Sequence, residues 1–295
     1  MLLGRITTRR LPPNLRGAAW MVLACCCIAG MWVLIRLGSE SLHPFMLALW
    51  RNMIGLLWLT PMLLMNPGLL RREKLPGHLR RATSGVIGTF ATFYAVSNAP
   101  LAPVLAISYT APLFVTIGAV LFLGERLRWV RSAALVAGFG GMLLVLRPGT
   151  AVMTPGLWAA ILAALATAFS LFSVKALTGA DDARAVTAWS FILTAPVSIV
   201  LAAPFWTWPE PSLWPLLAGL GGCAALGQFS LSRAFASADA SAVMPYDFVR
   251  FALITLAGVL LFDERYDFLT LLGGAIIVAA SIALALRERH LGRRR

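Results

Sequence analysis

Val120–Arg126 reads VLFLGER, and 139 positions later Val259–Arg265 reads VLLFDER. Both stretches close a long apolar run with the pair Glu-Arg. The same shift lays Gly17 on Gly156, Arg36 on Lys175, Trp50 on Trp189, Ala95 on Ala234, Val104 on Val243 and Thr116 on Thr255. Each half carries about five apolar stretches of spanning length. An odd number of spans turns the second copy over relative to the first. The expected fold is therefore an all-α integral membrane protein of about ten transmembrane helices in two inverted five-helix repeats, 1–148 and 149–295. Repeats of this kind place a substrate site at their interface.

Composition supports the membrane reading. The chain is 59% hydrophobic and 13% charged, with a mean hydropathy of +0.82. Long uncharged runs at that density are spanning helices rather than a soluble core. Hydropathy places the spans at 17–35, 44–65, 82–99, 103–123, 130–146, 155–174, 185–204, 212–235, 241–262 and 268–286. The alternating pattern of an outer-membrane barrel is absent.

The net charge of +13 raises the question of nucleic acid, but its distribution has another cause. Arg5, Arg9, Arg10 and Arg16 precede the first span. Arg71, Arg72, Lys74, Arg80 and Arg81 fill the second loop. Arg126, Arg128, Arg131, Lys175 and Arg184 lie in the fourth and sixth, and Arg287, Arg289 and Arg293–Arg295 close the chain. With ten spans all of these fall on one side, and only Arg36, Arg147 and Arg265 on the other. That asymmetry predicts cytoplasmic termini and contact with anionic lipid, with no nucleic-acid partner. Cys25, Cys26, Cys27 and Cys223 lie within apolar runs and read as small packing residues, not as a metal site or disulfide framework. Val22–Cys25 resembles a lipoprotein processing site, but the apolar run continues to Ile35, as a spanning helix does. Glycine pairs such as Gly85 with Gly88 and Gly219 with Gly221 and Gly222 read as close helix packing.

Ten spans in two inverted sets of five resemble the drug/metabolite transporter superfamily, specifically its EamA-type members. Three stretches carry the resemblance, which covers nearly the whole chain. His43-Pro44-Phe45 leading to Trp50-Arg51-Asn52 resembles the start of the family's second helix. Tyr94-Ala95, then Ala111-Pro112-Leu113-Phe114 and Gly124-Glu125-Arg126, resemble its third and fourth helices. Ala234 through Glu264-Arg265 repeats that element. Two positions depart from the repeat: Phe251 stands where Pro112 does, and Asp263 where Gly124 does. The resemblance implies a secondary transporter of amino acids, polyamines, cofactor-like metabolites or drugs.

Candidate site residues are polar positions that break the repeat. Arg51 corresponds to Ser190, Asp247 to Ser108 and Arg250 to Ala111. Arg51 lies about 10 Å in from the outer face, and Asp247 and Arg250 about 9 and 13 Å in from the cytoplasmic face, at 1.5 Å of rise per residue. Charges at such depth are expensive and seek a cavity, a partner or a ligand. Asp247 and Arg250 can also pair with each other at i, i+3 and lock a helix. Arg51 can also snorkel outwards. As a site, this set is a cationic cavity with one acid, suited to a carboxylate or zwitterion. Trp50, Tyr94, Tyr109, Gln228 and Tyr246 are candidates to complete it. Pro112 and Pro245 permit bends. Arg36, Lys175, Glu125, Arg126, Glu264 and Arg265 read as gate or scaffold, with each glutamate expected to pair with nearby cations.

The expected function is alternating-access transport of a small polar metabolite, an amino acid, related zwitterion or organic anion, across a bacterial inner membrane. The site is expected among the second, third, fourth and ninth spans. No nucleotide-binding motif is present and no cofactor or metal is expected. Proton coupling through Asp247 and facilitated exchange both remain open, as do a monomer and a homodimer. Export of hydrophobic drugs or cations, or lipid flipping, are the alternatives. An intramembrane enzyme is disfavoured, because His43, His78 and His290 lie at span ends or outside and no paired acids share a helix.

Overall fold

The computed structural model describes residues 13–70, 75–111, 114, 153–178, 181–237 and 244–292, with scattered positions between 133 and 144. The expected span 130–146, Pro112 and the pair Glu125-Arg126 lie outside the continuously described residues. Among the described residues the secondary structure is wholly helical. The first half contributes α1 (Pro13–Gly38), α2 (Pro44–Leu64), α3 (Leu75–Asn98) and α4 (Leu101–Ser108). The second contributes α5 (Pro155–Thr178), α6 (Ala183–Ala202), α7 (Trp214–Ser237), α8 (Phe248–Phe262) and α9 (Phe268–Gly292). Leu15–Gly38, Pro44–Leu64 and Ala183–Phe205 are each long and apolar enough to cross a membrane.

Helix starts follow from local chemistry. Pro44 opens α2, where a missing N–H costs nothing, and the His43 ring accepts from the Phe45 N–H. The Asp182 carboxylate accepts from the Arg184 N–H at 2.8 Å and caps α6. The fourth span is not one continuous helix: α4 stops at Ser108, and Tyr109 and Thr110 form a turn. Among the described residues of the ninth span, a 3₁₀ turn, Met244–Asp247, precedes α8. Asp247 is the repeat equivalent of Ser108, so α4 ends and α8 begins at equivalent positions, with the irregular residues 109–110 after the one and 244–247 before the other.

The packing also follows the repeat. The two most extensive helix pairs are α1 with α7 and α3 with α5, and the repeat shift exchanges one for the other. The pair α2–α6 maps onto itself and is in contact, and α4 and α8, which belong to the equivalent fourth and ninth spans, also touch. One core joins the halves, with Trp32, Met46, Phe93 and Leu105 meeting Leu217, Leu220 and Ile254.

Loops gather at two ends. At one end the His43 ring stacks on Phe205 at 3.6 Å, and Gly156 at the start of α5 abuts the backbone of Asn98. At the other, His78 of α3 meets Asp181 before α6 at 3.2 Å. Among the described residues, the contacts of the first, third, fifth and seventh loops thus lie at one end and the contact of the second with the sixth at the other. The outer loop after α6 holds the 3₁₀ turns Ala203–Phe205 and Pro211–Leu213, with Trp206 and Trp208 exposed.

Glycines matter where backbones meet. A Cβ at Gly156 would lie 2.9 Å from the Asn98 carbonyl oxygen, and one at Gly221 would lie 2.9 Å from the Gly55 nitrogen. Gly85 faces open space instead, so the expected packing role does not hold there. Gly156→Ala should cost about 1–3 kcal/mol through overpacking against backbone. Gly85→Ala should be neutral or stabilising, because alanine is the better helix former. Thermal unfolding of the two variants in detergent checks the contrast.

His43 supplies a pH dependence. Partial burial lowers its pKa below the usual 6.5, and its Nδ1 must be unprotonated to accept from Phe45. The unfolded chain then binds the proton more readily than the folded one. The stabilisation is complete above the unfolded value and is lost as pH falls through the folded one. His43→Asn, which keeps an acceptor, should remove this component of a stability profile taken from about pH 7 to 5.

Candidate functional site between the two halves

A cavity of about 170 Å³ opens at the centre of the helix bundle. Its wall includes Trp32 from α1, Arg51 from α2, Ser108 from α4, Thr167 from α5, Gln228 from α7 and Arg250 from α8. Both halves line it, and so does the repeat: Ile28 and Thr167 are equivalent positions, as are Thr92 and Leu231, and all four face the cavity. The site is built by more elements than expected, because α1, α5 and α7 join the second, third, fourth and ninth spans.

Two arginines reach this wall by different routes. Arg51 stays inside the bundle. Its Nη1 donates to the Asn52 side-chain oxygen at 2.6 Å, and its guanidinium lies 4.9 Å from the Phe191 ring centre. Asn52 in turn donates to Ser198, joining α2 to α6. Arg250 pairs with Asp247 at 2.8 Å and lies over the Tyr109 ring at 5.1 Å. The Tyr109 hydroxyl donates to the Asp247 backbone carbonyl at 2.8 Å. The Cys25 thiol, buried on α1, lies 3.6 Å from the Asp247 carboxylate and from the Tyr246 carbonyl oxygen. Asp247 thus ties α1, the end of α4 and the start of α8 together where the helices lose regularity.

The structure divides the candidates. Arg51, Gln228 and Arg250 line the cavity. Asp247 and Tyr109 stand behind Arg250. Trp50 packs instead against Trp214 and Trp208 under the outer loop, with ring centres 5.0 and 6.1 Å away. Tyr94 is half-buried on α3, where its carbonyl accepts from the Asn98 side chain. Tyr246 is 42% exposed. Adjacency in sequence to Arg51 and Asp247 misplaced Trp50 and Tyr246, because neighbours on a helix point about 100° apart. Thr92, Ser108, Thr167 and Cys223 were not singled out; their place on the wall is legible only from the packing.

The gate candidates form a corner between α3 and α4. Arg36 Nη1 donates to the carbonyls of Val96, Ser97 and Ala99 at 3.0, 3.2 and 3.2 Å. A cation there satisfies the orphan acceptors at the end of α3. Both Glu264 oxygens accept from the Leu101 N–H, at 3.0 and 2.9 Å, at the start of α4. The expectation that Glu264 pairs with cations is corrected here: its partners are a helix N-terminus and the Tyr266 hydroxyl at 2.6 Å. Asp263, in the left-handed region at φ 50°, turns the chain so that Glu264 faces α4. Arg265 is exposed. Lys175 lies in α5.

Comparison with known proteins decides what this architecture belongs to. The model of the EamA-like transporter family matches residues 15–147. A riboflavin transporter of Rhizobium johnstonii is 32% identical over 94% of this chain and 93% of its own length. The chain belongs to the EamA-like transporter family. An S-adenosylmethionine uptake transporter of Rickettsia felis is 28% identical over 93% of this chain and 94% of its own length. A crystal structure at 21% identity shares the fold, with a TM-score of 0.67 over 93% of this chain and 98% of the other. This EamA-family chain is a membrane transporter of a small molecule and not an enzyme.

The Asp247–Arg250 pair can be apportioned by a double-mutant cycle. Each single change, Asp247→Asn or Arg250→Gln, strands a charge in a low-dielectric site. The double variant should recover part of the lost stability, with a coupling of about 1–3 kcal/mol. Thermal or denaturant unfolding of the four proteins measures it, and additive effects would show that the pair is not coupled.

Proposed function

We propose that this chain moves a polar metabolite rich in hydrogen-bond acceptors through the central cavity by alternating access. The moving parts are the two inverted halves, 1–148 and 149–295. The observation that carries the substrate reading is the cavity wall. Arg51 and Arg250, one from each half, meet there with Gln228, and among the described residues no Asp or Glu lines the cavity. Such a wall offers donors in excess, so the ligand supplies acceptors: a carboxylate, a phosphate or ring carbonyls. Trp32 adds one indole against which a flat ring can lie. Relatives named for riboflavin and S-adenosylmethionine fit this description, the first by its ring carbonyls and the second by its amino-acid carboxylate. Both compounds are candidate substrates in this reading.

A zwitterionic amino acid is the second reading, and the Asp247–Arg250 pair favours it. A substrate carboxylate would take Arg250 while its ammonium takes Asp247. Proton coupling would run through the same carboxylate. The arginine distribution supports a bacterial inner membrane location with both termini in the cytoplasm.

Counterflow into proteoliposomes tests the reading, with labelled riboflavin, S-adenosylmethionine and amino acids as probes. Saturable flux of one class is expected. Arg51→Ala or Arg250→Ala should lower it about tenfold or more, the worth of one charge-assisted hydrogen bond. Flux of none of these compounds would sink the acceptor-rich substrate. Flux indifferent to both arginines would move the site elsewhere.

A further inference from the structure

Beyond the cavity wall, towards the end where His78 meets Asp181, lies a second set of donors. Arg81 is 3% exposed, six residues into α3 counting from Leu75. Its Nη1 donates to the Val186 carbonyl of α6 at 2.8 Å, and its Nε has no acceptor. Trp189, just over one residue past half a turn along α6, holds a buried indole N–H with no acceptor. Arg51 leans on Phe191 of the same helix, and its Nε is likewise without an acceptor. From Val186 to Phe191 the helix advances about 7.5 Å. Three buried donors from α2, α3 and α6 therefore cluster along a short length of one helix.

The charges make the cluster stranger than the missing acceptors do. Among the described residues no carboxylate pairs with Arg51 or Arg81. Asp181, the acid close by, is engaged by His78. The two guanidinium charges act on each other unfavourably. A strap between α3 and α6 needs neither charge, because His78–Asp181 already joins these helices and His78 packs on Trp189 with ring centres 5.8 Å apart. Charged residues within a membrane pair with one another or with backbone carbonyls, and they mark substrate and ion paths.

We propose that Arg81, Trp189 and Arg51 form an anion-binding station on the Asp181 side of the central cavity, for a carboxylate or phosphate carried by the substrate. The proposal rests on the reading of the cavity as the transport path and adds to it the sign of the cargo. Arg51 belongs to both the cavity and the station, so it hands the anionic end from one to the other. Arg81 is then a specificity-determining residue that selects anionic over neutral forms of otherwise similar substrates.

Inorganic phosphate is the first probe, titrated into the purified full chain at constant ionic strength with chloride as the balancing anion. Unfolding temperature and tryptophan fluorescence are the readouts. Wild type should show a saturable response that weakens about tenfold or more in Arg81→Gln. Arg81→Lys, which keeps the charge without the planar fork, should fall between them and serves where the glutamine variant does not fold. Arg184→Gln, at an exposed surface pair, should respond as wild type does. A second arm measures flux of riboflavin and of riboflavin 5′-phosphate, which differ by the anionic group alone. Arg81→Gln should depress the phosphate ester far more than riboflavin. If wild type moves neither flavin, the flavin substrate fails, while the phosphate titration still decides the station. No phosphate response in wild type, or equal responses in wild type, Arg81→Gln and Arg81→Lys, overturns the proposal.

Discussion

A guanidinium in the apolar part of a membrane protein must find an acceptor, and this requirement organises the centre of the molecule. Arg250 finds Asp247, which is then held on further sides by the Tyr109 hydroxyl through its backbone and by the Cys25 thiol. Arg51 finds only the neutral oxygen of Asn52 and the face of Phe191. The difference matters for transport. A fully neutralised pair resists a ligand anion, whereas a cation satisfied by a neutral amide keeps most of its charge to offer. The resting site is therefore asymmetric within a symmetric scaffold, with a self-contained ion pair on α8 and an available cation on α2.

That asymmetry was legible in the sequence because symmetry was legible. The repeat predicts which positions the scaffold explains, and Arg51, Asp247 and Arg250 stood out as those it does not. Their pairing at i, i+3 follows from helix geometry and is seen. What the sequence could not supply was rotation and depth. Trp50 and Tyr246 adjoin charged residues in the chain, yet one packs under the outer loop and the other faces outwards. Thr92, Thr167 and Cys223 face the cavity without any compositional mark, because a small polar residue in an apolar helix reads the same whether it meets a neighbour or a void. The charge pattern places Arg81 in the second loop, whereas the structure has it inside α3 and buried, in contact with Val186.

The corner between α3 and α4 shows how charges can be spent on backbone rather than on one another. Arg36 covers three carbonyls at the end of one helix, and Glu264 covers the first N–H of the next. Each charge faces the helix end of opposite partial charge. Sequence reasoning expected Glu264 to seek a cation, since it closes a helix where a carboxylate is unwelcome. The left-handed turn at Asp263 removes the conflict by carrying Glu264 off the end of α8 and onto the start of α4. A contact between halves is thereby made from a side chain that would otherwise destabilise its own helix.

The same corner bears on how the halves can move. Glu264 belongs to the second half and Leu101 to the first, so this hydrogen bond breaks if the halves separate at that end. The loss is modest, because the carboxylate and the N–H can both turn to water there. At the opposite end His78–Asp181 and Arg81–Val186 also join the halves, and these are more deeply buried. Between the two ends, α4 stops at Ser108 and α8 starts after Asp247, its repeat equivalent, beside the cavity. A rigid helix crossing the whole bundle would transmit any tilt from one end to the other. A helix interrupted at the cavity lets one end open while the other stays packed. The interruption and the ion pair lie beside the cavity, and the more deeply buried contacts between the halves lie at the His78 end.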